Sequence, residues 1–175
     1  VMRNSKHEVI YYIASFTDIT DQKRNEEKIR HLAHHDYLTG LPNRFTLHQR
    51  MAEDIRQAKQ DCAMLAVLFI DLDRFKPIND AFGHDAGNVV LRAFAQRLQQ
   101  LVQDKGIAGR LGGDEFAVLT KPTETMRDLR ALAEQVLVAA RTPFAFGEHE
   151  LTVSASVGIS IFPENGWTSA ELVRS

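Results

Sequence analysis

An uninterrupted apolar segment in the first half of the chain constrains its fold more than any other feature. Residues 63–70 are all apolar, which is typical of a central strand covered on both faces, although periodicity alone does not exclude a helix. The segment ends abruptly at Asp71-Leu72-Asp73, and this ending favours the strand. We therefore expect a sheet whose central strand finishes at two carboxylates.

Three other segments carry apolar residues at the spacing of amphipathic helices. The first covers residues 43–59, where Asn43 is expected to cap the helix and Phe45 is a candidate buried position. The second covers residues 85–103, with Asp85 as its expected cap, and the third covers residues 124–141. The stretch between the first strand and the second helix, residues 74–83, is expected to be a loop.

Two patterns predict the remaining strands. Residues 107–111 and 114–120 flank Gly112-Gly113, a pair that tolerates the positive φ angles of a tight hairpin. Apolar and small polar residues then alternate over residues 151–161, as in a strand with one buried face. The order β-α-β-β-α-β predicts an α+β sandwich of the ferredoxin-like type, an antiparallel sheet with helices on one face. Many unrelated proteins share this fold, so it decides no function.

The first 35 residues differ in character from the rest. Residues 8–19 alternate and are rich in Tyr, Ile and Phe, which predicts a strand that belongs to something upstream. Residues 21–35 are charged and carry only a thin apolar stripe that includes Ile29 and Leu32, as in a linker helix or a short coiled coil. We place the start of the compact domain near Asp36.

Composition narrows the possible partners. Hydrophobic residues make up 44% of the 175 residues, enough for the core of one compact domain. The net charge of -2 argues against a broad surface for nucleic acid or anionic membrane, which requires a basic excess. No apolar run approaches the ~20 residues that span a bilayer. The single cysteine, Cys62, is expected to be a small buried hydrophobe, and we expect this part of the chain to be cytoplasmic.

Four acidic residues are expected to converge at one edge of the sheet. Asp71 and Asp73 end the central strand, while Asp114 and Glu115 follow the glycine pair on a strand expected to lie beside it. Clustered carboxylates raise one another's pKa unless a cation lies between them, and oxygen ligands suit Mg²⁺ or Mn²⁺. The alternative is that each of these residues is solvated at a strand end.

Other polar residues leave two interpretations open. Lys76 and Asn79 follow the first acidic pair, where a cation could meet phosphate and an amide could read a base edge, or both could be solvated. Arg110 could pair with Asp36 and tie the opening segment to the hairpin, or it could be a solvated charge on a strand.

Three blocks of sequence carry a family resemblance. They are DYLTGLPNR at residues 36–44, DLDRFKPINDAFGHDAGN at residues 71–88 and RLGGDEFAVL at residues 110–119. In this order and spacing they resemble the opening segment and the two signature blocks of GGDEF diguanylate cyclases, and three blocks are far more specific than a lone glycine motif. The resemblance covers residues 36–175 and implies a palm fold like that of nucleotidyl cyclases. It also implies an enzyme that makes cyclic di-GMP from two GTP molecules.

The resemblance implies a metal site and catalytic residues. Asp71, the Leu72 carbonyl and Asp114 or Glu115 would hold two Mg²⁺ or Mn²⁺ ions, and Asp114 and Glu115 would be the catalytic residues. The 3′-hydroxyl of one GTP would attack the α-phosphorus of the other, and the metals would activate the nucleophile and neutralise the departing pyrophosphate.

The resemblance also implies substrate contacts. Lys76 and the backbone near Phe75 would grip the triphosphate, and Asn79 would read guanine. The glycine pair, Gly112 and Gly113, would let the backbone approach phosphate closely.

Three positions depart from the family pattern. Asn88 occupies the place of an aspartate that faces guanine, so the amide supplies no negative charge there. Gln103 and Gly106 replace the Arg and Asp of the family's inhibitory product site, so we expect no feedback inhibition through that site. The chain also stops before the family's closing helix and its phosphate-contacting lysine.

The resemblance also predicts the assembly. Each domain would hold one GTP, so catalysis implies a homodimer, which an upstream helix favours by raising the effective concentration of the half-sites. Residues 1–20 resemble the end of a PAS sensory domain, residues 21–35 its signalling helix, and residues 36–175 a GGDEF domain truncated at its C-terminus. The alternative function is a GTP-binding regulatory module that controls a neighbouring domain, such as an EAL-type cyclic di-GMP phosphodiesterase.

Overall fold

The computed structural model describes residues 2–3, 6, 9–11, 18–121 and 125–174. The chain divides into two compact units, Val1–Ala33 and His34–Ser175. Within the described residues, none of the helices combines the length and the hydrophobicity that crossing a bilayer requires.

The N-terminal unit contains a short antiparallel pair of strands and most of one helix. These elements are β1 (Met2–Arg3), β2 (Val9–Tyr11) and α1 (Thr20–His34).

The helix predicted over residues 21–35 is confirmed by α1. Of the strand predicted over residues 8–19, β2 is the part that the structure shows. Residues 8 and 12–17 lie outside the described residues, and residues 18 and 19, just before α1, are not in a strand, so the prediction extends too far there. Ile29 and Leu32, from the thin apolar stripe of α1, are both exposed.

The described part of the second unit contains strands and helices in alternating groups. Its strands are β3 (Leu65–Asp73), β4 (Gly106–Gly112), β5 (Glu115–Thr120), β6 (Phe144–Phe146), β7 (His149–Leu151) and β8 (Ser154–Phe162). Its helices are α2 (Arg44–Asp61), α3 (Phe75–Phe82), α4 (His84–Val102), α5 (Met126–Arg141) and α6 (Ser169–Arg174).

The main sheet has four strands in the order β4-β5-β3-β8, and every neighbouring pair is antiparallel. This order confirms the ferredoxin-like arrangement. β6 and β7 form a separate hairpin between α5 and the last strand. The central position of β3 agrees with its continuous apolar sequence, because both of its faces are covered.

Helices cover both faces of the sheet, so the prediction of helices on one face was wrong. One hydrophobic cluster joins alternate residues of β3, such as Leu68, to α4 and α5. A second cluster joins the intervening residues, such as Val67, to α2 and to Leu172 of α6. The physical reason lies in β3 itself, since an apolar strand without alternation must bury both faces.

Phe45 is a second correction, because it is 55% exposed rather than buried. The buried side of α2 is formed by Leu47, Met51, Ile55 and Ala58. Phe45 precedes Leu47 by two residues, which rotates it about 200° round a helix of 3.6 residues per turn. The predicted cap is confirmed, since the Asn43 side chain accepts a hydrogen bond from the backbone N–H of Thr46.

Cys62 is exposed, contrary to the prediction that it is buried. It caps the C-terminus of α2 in the left-handed conformation, with φ 51°. Its backbone N–H donates to the Ala58 carbonyl. A residue in this position turns the chain at the surface, which explains the exposure.

Residues 74–83, predicted to be a loop, contain α3. Arg74 makes the turn from β3 in the left-handed region at φ 58°, and Gly83 ends the helix at φ 82°. Phe75 and Ile78, three residues apart, are the buried side of this short helix. Eight residues with two buried anchors are too short a pattern for periodicity to identify.

Element ends differ from the predictions by a few residues. β3 continues through Asp73, so the carboxylates predicted to follow the strand lie within it. α4 begins at His84, and Asp85 lies in its first turn instead of capping it. α5 begins at Met126, where the Thr125 side chain forms a capping box with Asp128; residue 124 lies outside the described residues.

The predicted strand over residues 151–161 is divided between β7 and β8. Its alternation also fails near the end, where Ile159 is 40% exposed and Ser160 is buried. β8 is an edge strand, so helices cover it less completely than they cover β3. Ser160 lies opposite Val67, on the face that α2 covers.

Candidate active site

Two acidic residues lie directly opposite each other on adjacent strands. Asp71 of β3 is the cross-strand partner of Glu115, the first residue of β5. Asp114 lies in the turn before β5, and its backbone carbonyl accepts a hydrogen bond from the backbone N–H of Leu72 at 3.3 Å. The structure therefore brings Asp71, Leu72, Asp114 and Glu115 together, as the sequence predicted.

The negative charges of this cluster disfavour ionisation of the Asp71 carboxyl. Burial and then the negative charges of Asp114, Glu115 and Asp73 raise the pKa of the Asp71 carboxyl above its ordinary value. A cation between the carboxylates would reverse this effect. Because the donors are carboxylate and carbonyl oxygens, they fit the hard ions Mg²⁺ and Mn²⁺.

The side chains alone do not enclose an ion. Among the described residues, no three side chains of His, Cys, Asp or Glu lie close enough together to hold a metal. A site here would therefore need backbone carbonyls, such as that of Leu72, and oxygens of a bound ligand. Mg²⁺ is typically bound in this way, by one or two carboxylates together with phosphates and water.

Asp73 is turned towards a different strand. Its carboxylate accepts hydrogen bonds from the hydroxyls of Ser154 and Ser156, both at 2.8 Å, and these bonds lower its pKa. The carboxylate thus ties β3 to β8. Although the sequence placed Asp73 with the other acidic residues, the structure gives it this separate contact.

The glycine pair makes the turn between β4 and β5. Gly112 has φ 142° and Gly113 has φ 53°, values that side-chain-bearing residues rarely adopt. A Cβ atom on either residue would meet no other atom within 4 Å. The requirement for glycine is therefore conformational, and the space beside the turn is open to a ligand.

Apart from the glycine pair, the residues predicted to bind the nucleotide lie on α3 and α4. Phe75 is buried in the core, Lys76 is exposed and Asn79 is half-buried. A Cβ atom on Gly87 of α4 would overlap the Asn79 side chain and the Phe75 ring, so the two helices approach closely there. Asn88 follows Gly87 and is also half-buried.

Arg110 pairs with Asp36, which settles the two interpretations of this arginine in favour of the tie. The guanidinium Nη1 donates to Asp36 Oδ1 at 2.9 Å, and the two side chains are only 9% and 15% exposed. Nε and Nη2 of Arg110 both donate to the Gly113 carbonyl, at 3.1 and 2.6 Å. The opening segment of the domain is thereby connected to the glycine turn.

The family model for the GGDEF domain of diguanylate cyclases matches residues 33–175 of this chain. The chain belongs to the GGDEF family. This GGDEF domain contains all three sequence blocks that carry the resemblance, and the acidic cluster lies on two of them.

Curated relatives of this GGDEF domain are larger proteins. It is 41% identical over 154 residues to the bifunctional diguanylate cyclase/cyclic di-GMP phosphodiesterase MucR of Pseudomonas aeruginosa, covering 88% of the chain and 22% of MucR. It is 39% identical over 165 residues to the cyclic di-GMP phosphodiesterase PdeR of Escherichia coli, covering 94% of the chain and 24% of PdeR. The chain thus spans about a quarter of the length of these relatives.

A solved GGDEF structure has the same fold. The GGDEF domain of TpbB from Pseudomonas aeruginosa matches with a TM-score of 0.77 and 39% sequence identity. The match covers 81% of this chain and 83% of the TpbB domain. The palm fold predicted from the resemblance is therefore confirmed.

Sequence reasoning missed Arg44. An open cleft of about 450 Å³ is lined by Asp71, Glu115 and Ser156, and Arg44 at the start of α2 lines it as well. The available signal was its position as the last residue of the first family block.

The two residues that replace the Arg and Asp of the family's inhibitory product site, Gln103 and Gly106, lie at the ends of neighbouring elements. Gln103 is the C-cap of α4, and Gly106 is the first residue of β4, opposite Thr120. A Cβ on Gly106 would overlap the Leu119 carbonyl of β5. Because this close approach excludes a side chain, an aspartate does not fit at Gly106 without a shift of the backbone.

Proposed function

We propose that this GGDEF domain is a diguanylate cyclase that condenses two GTP molecules into cyclic di-GMP. The observation that carries the proposal is the acidic cluster of Asp71, Asp114 and Glu115 beside the glycine turn, in a member of the GGDEF family. In each of two equivalent steps, a 3′-hydroxyl attacks the α-phosphorus of the other GTP. A new P–O bond forms, the hydroxyl proton is released to solvent, the bond between the α-phosphorus and the bridging oxygen breaks, and pyrophosphate leaves with that electron pair.

The acidic cluster is the proposed metal site. Asp71, the Leu72 carbonyl and Asp114 or Glu115 would hold two Mg²⁺ or Mn²⁺ ions, which would supply a Lewis acid for the attacking hydroxyl and the departing pyrophosphate. The raised pKa of Asp71 supports this assignment, because the carboxylates repel one another without a cation. Asp114 and Glu115 are the proposed catalytic residues.

The helices α3 and α4 are the proposed nucleotide site. Lys76 is exposed at the start of α3, where its ammonium would bind the triphosphate together with the backbone at Phe75. Asn79 and Asn88 would contact guanine from two helices that approach closely at Gly87. Gly112 and Gly113 leave open space beside the turn, where phosphate could approach the backbone.

Cyclase activity would require a homodimer, since each domain offers one half-site. We propose that α1 helps two copies to meet, as the exposed Ile29 and Leu32 provide an apolar stripe for a helical partner. Residues 1–20 would end a PAS-like sensor, residues 21–35 would be the signalling helix and residues 36–175 the GGDEF domain. GTP as substrate implies that the site faces the cytoplasm.

A regulatory GTP-binding module is the second candidate function. Two observations favour it, the amide of Asn88 in place of a carboxylate and the similarity to PdeR, a protein named as a phosphodiesterase. Such a module would bind GTP and release no pyrophosphate, and it would control a neighbouring domain, for example of the EAL type. An absence of feedback inhibition by cyclic di-GMP would fit both functions, because Gln103 and Gly106 lack the charges of the Arg and Asp that form the family's inhibitory product site.

The deciding experiment measures cyclic di-GMP and pyrophosphate after the full natural protein is incubated with GTP and Mg²⁺. We expect product from the wild type and a loss of about 100-fold or more in Asp114→Ala and Glu115→Ala, because both carboxylates would serve the metal site. Asp104→Ala, which removes an exposed acidic residue outside the cluster, is the matched control. GTP binding without any product from the wild type would instead establish the regulatory function.

A further inference from the structure

The two glycines of the turn that carries the acidic residues have no side chains that could hold it. Gly112 and Gly113 are the most flexible residue type, and the register of β4 against β5 shifts between Arg110 and Gly112. A turn of this kind samples many conformations unless contacts from outside restrain it. A metal site built on it would need such a restraint, because ligand positions must be held closely.

Arg110 supplies the restraint from inside the domain. Its Nε and Nη2 donate to one acceptor, the Gly113 carbonyl, and a planar guanidinium presents these two N–H groups in fixed geometry. The carbonyl of Gly113 lies in the same planar peptide as the nitrogen and Cα of Asp114. Fixing this oxygen therefore also restrains the nitrogen and Cα of Asp114.

The next peptide along the chain, Asp114–Glu115, is hydrogen-bonded to the central strand. The carbonyl of Asp114 accepts from the backbone N–H of Leu72, which lies between Asp71 and Asp73. The contacts thus run from Arg110 to the Gly113 carbonyl, and then through the backbone of Asp114 and its carbonyl to the backbone N–H of Leu72. Asp114 and Leu72, which this path joins, are both proposed metal ligands.

The other end of the guanidinium is itself anchored. Asp36 Oδ1 accepts from Arg110 Nη1 and also from the backbone N–H and hydroxyl of Thr39, at 2.9 and 2.7 Å. The backbone N–H of Arg110 donates to the Pro42 carbonyl at 3.0 Å. The arginine is therefore held at its backbone and at its side chain by the segment that follows α1.

We propose that Arg110 is a positioning residue for the active site, which holds the Gly113–Asp114 peptide in the orientation that metal and GTP binding require, with Asp36 as its anchor. The proposal rests on the proposed cyclase function for its kinetic consequence, whereas its structural consequence is independent of that function. A merely structural arginine would stabilise the domain without ordering the turn.

Arg97 offers a matched control for this distinction. Its guanidinium donates three hydrogen bonds, as that of Arg110 does, and all three go to backbone carbonyls, those of Ala139, Thr142 and Pro143. It stacks on Phe144 with 4.0 Å between the guanidinium carbon and the ring centre. These contacts are made with the end of α5 and the residues after it and not with the glycine turn, so Arg97→Met removes similar stabilising contacts and leaves the hydrogen bonds of the turn in place.

The test compares Arg110→Met, Arg110→Lys and Arg97→Met in the full natural protein. Amide hydrogen exchange at residues 113–115 and Leu72 should accelerate in both Arg110 variants and stay unchanged in Arg97→Met. Mn²⁺ affinity, measured by electron paramagnetic resonance, and kcat should each fall about 10- to 100-fold in Arg110→Met, as for other residues that orient metal ligands. Arg110→Lys should retain charge but recover little, because an ammonium lacks the paired N–H groups.

The proposal is overturned if the turn exchanges at the wild-type rate in Arg110→Met, or if Arg97→Met weakens Mn²⁺ binding equally. Should Arg110→Met fail to fold, Asp36→Asn provides the same comparison, with a smaller acceleration expected because the contacts to Gly113 remain. If the wild type makes no cyclic di-GMP, the cyclase function fails, whereas exchange and Mn²⁺ binding still decide the role of Arg110.

Discussion

Asp36 shows how hydrogen bonds decide the charge of a part-buried residue. Burial raises the pKa of its carboxyl, but hydrogen bonds from Thr39 and from Arg110 outweigh burial, and the net pKa is lowered from 3.8. The ionised form is therefore the form that the native contacts stabilise. A group of this kind makes stability depend on pH.

We predict that Asp36→Asn lowers the free energy of unfolding at pH 7 by about 2 kcal/mol, as expected for a lost hydrogen bond to a charged group. Because the folded pKa is depressed, the contribution of Asp36 is fully present above the unfolded pKa of 3.8 and disappears as the pH falls through the lower folded value. The difference between wild type and variant in urea unfolding should therefore shrink below that pH.

Asp61→Asn is the control for this experiment, since Asp61 is exposed and accepts a hydrogen bond from Gln57 on its own helix. It should leave the free energy of unfolding nearly unchanged at every pH. A difference between wild type and Asp36→Asn that persists undiminished in acid would contradict the assigned contacts.

At the scale of elements, α2 shows how a stripe of apolar residues orients a helix against one face of the sheet. Leu47 and Met51 are buried against Val67 and Ala117 of the central strands, in a cluster separate from the one beneath α4 and α5. Phe45, on the opposite side of the same helix, is exposed. Burial of this stripe, rather than the hydrophobicity of individual residues, fixes the rotation of α2 about its axis.

We predict that Met51→Ala destabilises the domain by about 2–5 kcal/mol, because it removes a buried side chain and leaves a cavity. Phe45→Ala should cost about 0.5 kcal/mol or less, because the ring is largely in water already. Thermal unfolding of the two variants measures both effects. Equal losses of stability would mean that the burial of α2 is wrongly assigned.

At the scale of the whole molecule, the division of the chain separates structure from proposed regulation. The unit His34–Ser175 contains the entire main sheet, its two hydrophobic clusters and every residue of the proposed active site. Folding of the GGDEF domain should therefore be independent of residues 1–33. Its proposed activity should depend on residues 1–33, because two half-sites must meet.

We predict that residues 34–175 alone unfold in a single cooperative transition, which calorimetry measures. Their rate of cyclic di-GMP formation per molecule should rise in proportion to protein concentration, since dimer formation limits it. For the chain that includes residues 1–33, the rate per molecule should become independent of protein concentration at a lower concentration than for residues 34–175 alone. A rate per molecule that is independent of dilution in both would contradict the proposed role of α1.

Much of the fold was predictable because its main elements have long, regular patterns. The continuous apolar run of β3 and the stripes of α4 and α5 identify themselves within ten to twenty residues of sequence. Short elements carry less local information, which is why α3 was mistaken for a loop. The exposure of Cys62 also depends on a backbone turn that composition does not reveal.

The sequence by itself determined the family, the strand order and the chemical types at the candidate site, since three blocks and the periodicities are local properties of the chain. Only the tertiary structure decided which groups meet. Asp73 binds two serines that follow it by about eighty residues, whereas Asp71 faces Glu115. Arg110 reaches both Asp36 and Gly113. Such contacts depend on strand register and on packing between distant segments, and no local pattern encodes the distance between two such side chains.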